Sequence, residues 1–294
     1  MSGSKRPVAA RSADVRSPGR GLLGVLRPPD QRTGRRAVGQ FAIGVATVIV
    51  GWQILSMIVR SPVLPSPIVV FPTFARLIAG ELGLHLLASA ARVIAAIAVA
   101  VAAAAPLGIA MGVLPTLNRL LSPVIDLVYP IPKIVFLPII YVLVGVSDFS
   151  KVLLIALILF FQILVVVRDE AIDLNRDLLL SARSLGAGRL ALYLFIYVPG
   201  TLPAMLTSLR LSVGTAIAVL FIAEQSLTNW GLGYYIIVRT YQVLRYTEMY
   251  AGIVAISLLG LALYGAIALL EHILRPEARG DTRPASDGVR RETA

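Results

Sequence analysis

Six apolar stretches, most of them about 20 residues long, constrain this chain more than any other feature. A helix rises about 1.5 Å per residue, so roughly 20 apolar residues are needed to cross a hydrocarbon core of about 30 Å. Such stretches lie at 37–59, 91–114, 124–146, 152–167, 202–223 and 249–274. The third is crowded with Pro130, Pro132 and Pro138, and the short fourth ends at Arg168, Asp169 and Glu170. Helices satisfy their own backbone groups in lipid, so the expected fold is all-α and polytopic, with about six transmembrane helices. Composition agrees. With 57% hydrophobic and 15% charged residues and a mean hydropathy of +0.82, a soluble fold would lack the polar surface to cover itself.

A net charge of +11 would suggest nucleic acid if it were spread over a folded surface, but most of it lies near the two ends. Residues 1–36 carry Lys5 and a series of arginines among Ser, Gly and Pro with no apolar periodicity, which reads as a disordered basic tail. The first apolar stretch begins late and runs longer than a signal-peptide core of about 7–15 residues, so no cleavable leader is expected. Residues 37–274 form one membrane domain, and 275–294 a polar tail. Placing the N-terminus inside puts 19 of the 27 lysines and arginines on the cytoplasmic side and only Arg60, Arg76, Arg239 and Arg245 outside. The positive-inside rule therefore predicts a multi-pass protein of the bacterial inner (plasma) membrane with both termini cytoplasmic.

Several chemistries lose their ligands at once. Cysteine is absent and the two histidines, His85 and His272, lie far apart in sequence, so no metal site, thiol chemistry or catalytic residue is expected, and an intramembrane enzyme finds no nucleophile and base. Lysine occurs only at positions 5, 133 and 151, and no Gly-rich loop ends in Lys-Ser or Lys-Thr, so the chain has no phosphate-binding loop of its own. Energy for transport must come from a partner or from an ion gradient. A gradient-driven transporter or channel is the alternative, but no internal repeat and no chain of acidic residues at mid-membrane supports it.

The longest predicted cytoplasmic loop, 168–201, carries the mechanism. Asp173, Asn175 and Asp177 can cap a helix over 177–185 that Gly186 ends, and a second short helix fits 189–197, stopped by Pro199 and Pro203. Ala182, three residues, Gly186, nine residues, Ile196, one residue, then Val198 and Pro199 resembles the EAA loop of ABC-importer permeases. In that family the pattern is E-A-A, three residues, G, nine residues, I, one residue, L-P. Leu180 stands where the glutamate would be and Val198 where the leucine would be. Leu64-Pro65-Ser66-Pro67, Ser89 to Val93, Tyr129-Pro130-Ile131-Pro132-Lys133 with Leu137-Pro138, and Ala223-Glu224 before Gly231-Leu232-Gly233 are similar to the nitrate, sulfonate and taurine branch.

The resemblance implies a type I importer permease fold and the translocation of a small polar, anionic solute into the cytoplasm. It implies a second permease copy, most simply a homodimer, two ABC ATPase subunits that bind ATP and magnesium, and a periplasmic or lipid-anchored binding protein. The chain itself would hold no cofactor. Ala182, Arg183, Leu185, Gly186, Arg189, Ile196 and Pro199 would form the surface that couples to the ATPase: Ala182 and Gly186, four apart, share one helix face where small side chains permit close approach. Glu224, closing the fifth stretch ahead of the Gly-Leu-Gly loop, is the best candidate for a gate or a structural contact. Tyr129, Gln162, Ser212 and Thr215 are candidate pathway residues, with helix packing the competing role. Arg92, Lys133, Asp126 and Arg210 are expected near span ends, in interfacial pairs or snorkelling to the headgroups.

Overall fold

A computed structural model describes residues 33–225 and 228–274, with side chains from residue 39. Residues 1–32 of the predicted basic tail and the whole polar tail lie outside the described residues, while 33–36 already belong to the first helix. The chain divides into two compact units, residues 1–55 and 56–294. The first holds most of α1 (Thr33–Val59), whose stretch Gly39–Val59 has a mean hydropathy of 2.1 and suffices for one span.

The second unit is entirely helical among its described residues. It contains α2 (Pro67–Ile78), α3 (Glu81–Val113), α4 (Pro115–Val128), α5 (Leu137–Val144), α6 (Asp148–Asp173), α7 (Arg176–Ser184), α8 (Arg189–Leu192), α9 (Val198–Glu224), α10 (Leu232–Tyr234) and α11 (Tyr246–Leu274). Among the described residues, five helical segments are long and apolar enough to cross a membrane, and a sixth is broken. In place of a straight span at 124–146, α4 and the 133–144 segment meet at 87°. The reason is covalent: Pro130 and Pro132 remove two amide donors in succession, and the chain resumes through a 3-10 turn, Lys133–Phe136.

Helix α6 is the centre of the unit. Half of its most apolar window is buried, and it packs against α3 on one side and α9 on the other. The approach to α3 is set by small residues. A Cβ on Gly108 would sit 3.0 Å from the Val167 side chain, and one on Gly112 would sit 2.5 Å from the Ala171 Cβ. These small residues therefore serve the close packing of α3 on α6.

Two predicted boundaries are corrected. Arg168, Asp169 and Glu170 do not open a loop, because α6 continues through them to Asp173. Pro199 and Pro203 do not stop the second loop helix either: Arg189–Glu224 runs on as one 36-residue helical segment. A π-helical turn at Tyr193–Tyr197 precedes the prolines. Its wider i to i+5 spacing shifts the Phe195 carbonyl that the Pro199 ring would otherwise strike, so the helix survives that proline, and it also continues through Pro203. Only about 15 residues, 174–188, are left between the two spans.

Candidate functional site

Three features lie along α6, at its first residue, near its middle and just past its last. At the first, Ser147 caps the helix with a capping box, its hydroxyl accepting from the Ser150 N–H while Ser150 returns the contact to the Ser147 N–H. This fixes Asp148, whose Oδ1 accepts from Arg92 Nε at 2.9 Å and lies 2.6 Å from Nη2. Arg92 Nη1 donates to Glu224 and, at 2.8 Å, to the Trp230 carbonyl. Glu224 is completely buried. Its carboxylate also accepts from the Ser89 hydroxyl, 2.8 and 2.9 Å from its two oxygens, and from the Gly233 N–H at 3.0 Å.

The network closes through the Gly-Leu-Gly loop. Ser89 Oγ accepts from the Leu232 N–H at 2.8 Å, and His85 Nδ1 accepts from the Gly231 N–H at 3.1 Å. Gly231 has φ +120°, and a Cβ there would fall 2.3 Å from the Glu224 carboxyl carbon; a Cβ on Gly233 would meet the Phe221 carbonyl at 2.4 Å. Glycine is thus required for the loop to lie against the carboxylate. Tyr141 of α5 donates to the Ala223 carbonyl at 3.0 Å, tying the broken span to the same point. Beneath, burial pushes the Tyr235 phenol up to about 12, so it stays a neutral packing group. Arg92 and Glu224 do not snorkel. They satisfy each other in the interior, the arrangement that makes a buried charge tolerable.

Near the middle of α6, the α4–α5 break and α9 enclose a cleft of about 440 Å³. Tyr129, Gln162 and Ser212 line it together with Val166, Ala204, Thr207, Ser208 and Leu211. Thr215 lies outside the lining, on the same face of α9 about one turn further on. The Gln162 Oε1 atom is buried with no hydrogen-bond partner. Arg210 is not near a helix end. It sits mid-way along α9, with Nη1 3.5 Å from Glu271 Oε2 and its guanidinium 5.7 Å from the Tyr264 ring centre. Thr207 donates to Glu271 Oε1 at 2.9 Å. Asp126 is exposed on α4.

Past the last residue of α6, Asn175 caps α7, its Oδ1 accepting from the Asp177 N–H at 2.8 Å. The helix ends in a Schellman motif: Ala187 N–H donates to the Ala182 carbonyl at 3.1 Å and Gly186 N–H to the Arg183 carbonyl at 2.9 Å, with Gly186 at φ +85°. Leu185 is 89% exposed. Arg183, Gly186 and Arg189 are exposed as well, while Ala182 and Ile196 pack against the core. Pro199 is exposed in the first turn of α9. Leu180 and Arg183 border a second cleft of about 470 Å³ with Arg176, Leu179 and Tyr197. The seven loop residues therefore do not form one face: Ala182 and Ile196 hold the loop down, and Leu185 with the arginines projects from it. Sequence reasoning left Asp148, Tyr141 and Ser208 without a role. A serine cap ahead of an acidic residue was the available signal for the first.

Comparison with known proteins agrees with this geometry. Residues 104–277 match the family described as binding-protein-dependent transport system inner membrane component. The taurine transport system permease protein TauC of Escherichia coli is 33% identical over 192 residues, 65% of this chain and 70% of that protein. The putative aliphatic sulfonates transport permease protein SsuC of the same organism is 27% identical over 156 residues, 53% of this chain and 59% of that protein. Among solved structures, the MetNI methionine ABC transporter in an inward-facing conformation matches with a TM-score of 0.56 at 16% identity, covering 66% of this chain and 96% of that one. This last likeness shows the fold alone. Membership implies an ABC ATPase and a substrate-binding protein as partners. The chain belongs to the family of binding-protein-dependent transport system inner-membrane components, as a multi-pass importer permease subunit rather than an enzyme.

Proposed function

We propose that the chain forms, with a second copy of itself, the membrane pathway of an ATP-driven importer for a small anionic solute of the sulfonate or taurine kind, with both termini in the cytoplasm. ATP and magnesium are bound by the ATPase subunits, and this chain carries no cofactor. The relatives named for taurine and aliphatic sulfonates support the solute class. The charge asymmetry of the sequence supports the orientation.

One observation carries the coupling role. The α7 turn is held rigid by caps at both ends, yet it presents Leu185 almost wholly to solvent beside Arg183 and Arg189. An apolar side chain fixed in that position, flanked by two arginines in the segment between spans, is available as an anchor for a partner. In this reading Leu185 enters an apolar pocket of the ATPase and the arginines meet acidic groups around it. Glu224 and its loop close the opposite end, and Tyr129, Gln162 and Ser212, with Thr215 beyond, line the route between.

Because Leu185 and Arg183 support nothing in the fold, their replacement separates docking from folding. Leu185→Asp and Arg183→Glu are expected to express and melt like the wild type while losing co-purification with the ATPase subunit by at least about tenfold, the cost of one or two lost anchor contacts. Undiminished co-purification of both variants overturns the assignment.

A further inference from the structure

Lys133 is nine-tenths buried at the break between α4 and α5. Its Nζ donates to three carbonyls at the break, those of Tyr129 at 2.6 Å, Val128 at 3.2 Å and Ile131 at 3.3 Å. It also lies 5.2 Å from the Tyr129 ring centre and 4.9 Å from that of Phe161. Among the described residues it has no carboxylate partner. Carbonyl dipoles and ring faces can hold an ammonium in place, but they do not cancel its charge. The surroundings therefore keep a net positive field.

That field falls on the cleft beside the middle of α6. Tyr129, whose carbonyl and ring both hold the ammonium, lines the cleft, and Phe161 is the chain neighbour of Gln162. The other cation nearby, Arg210, is matched by Glu271 and contributes little net charge. The cleft wall offers neutral donors: the Tyr129 hydroxyl, the Gln162 amide and the hydroxyls of Ser208 and Ser212, which now turn toward backbone carbonyls. In a low-dielectric setting, a fixed charge behind neutral donors favours an anion without gripping it.

We infer that Lys133 is the residue that sets the charge preference of this cleft, making it a transit site for a compact oxyanion whose oxygens are met by Tyr129, Gln162, Ser208 and Ser212. This rests on the permease reading only in taking the cleft as part of the route. Holding the ammonium one layer behind the wall keeps it out of direct ion pairing, so the anion can leave. A lysine inside the cleft would bind its cargo and stop transport.

The test uses the full-length chain alone in nanodiscs, with methanesulfonate and its neutral near-isostere dimethyl sulfone as probes, followed by saturation-transfer NMR. The wild type is expected to prefer methanesulfonate by about tenfold, the scale of one screened charge. Lys133→Met should reduce the preference to within about twofold, and Lys133→Arg should keep it. A wild type with less than about threefold preference overturns the inference, whether or not the methionine variant folds. So does a methionine variant that retains the full preference, since the anion would then be held by the basic tails. No ATPase or binding protein takes part, so failure of the importer reading would leave this measurement unchanged.

Discussion

Glu224 has no exposed surface, and a carboxylate can stay there only because three donors converge on it: the Arg92 guanidinium and the Ser89 hydroxyl from α3, and the Gly233 N–H of the Gly-Leu-Gly loop. Removing the acid leaves the guanidinium buried with only Asp148 and one carbonyl for company. Glu224→Ala is therefore expected to cost about 3–5 kcal/mol of stability, and Glu224→Gln, which keeps the shape and some of the hydrogen bonds, clearly less. Thermal unfolding in nanodiscs reads both, and equal melting of the alanine variant and the wild type would refute a structural role for the pair. None of this was legible in the sequence beyond Glu224 and Arg92 being unusual. Their separation of 132 residues leaves no local trace of the pairing, and hydropathy marks each as a span end rather than as a partner.

At the scale of the helix, hydropathy located the spans but not the helix ends. A run of apolar residues stops where lipid stops, whereas hydrogen bonding carries α6 on through Arg168, Asp169 and Glu170 to Asp173. The proline cluster at 130–132 did signal a break, but the 87° turn depends on what the next helix packs against. Nor is a π turn that lets the helix pass Pro199 written in any composition rule. The contact between α3 and α6 gives a clean contrast. Gly112→Ala must push α3 away from Ala171 and is expected to destabilise by about 1–3 kcal/mol. Gly214→Ala in α9, where an added Cβ meets nothing within 4 Å, should be neutral or stabilising by up to about 1 kcal/mol. Paired melting curves decide, and a neutral Gly112→Ala would show the helices to be looser than the distances say.

For the molecule as a whole, the natural lack of cysteine makes topology directly measurable. A single cysteine at Val63, between α1 and α2, should react with a membrane-impermeant maleimide in intact spheroplasts. One at Leu185 should react only after lysis. The opposite pattern would reverse the orientation and remove α7 from the reach of any ATPase. The fold class was readable from the length and spacing of the apolar stretches, because lipid imposes them one residue at a time, and the charge distribution supports the orientation proposed above. The sites were less so, because each is assembled from helices that meet only after folding.

One consequence belongs to α6 alone. Its 26 residues make a rod of about 39 Å, with Asp148 in the Arg92 network at one end, Gln162 in the cleft near the middle, and α7 attached just beyond the other. A stiff rod pivoting near its middle moves its two ends in opposite senses. A tilt of 10° would displace each end by about 3 Å, comparable to the length of the hydrogen bonds at Asp148. Under the coupling role proposed for α7, a push that tilts α6 by this much would also reach the Asp148 contact, so the two ends of the helix would be geared in antiphase by its length, without any relay of side chains between them.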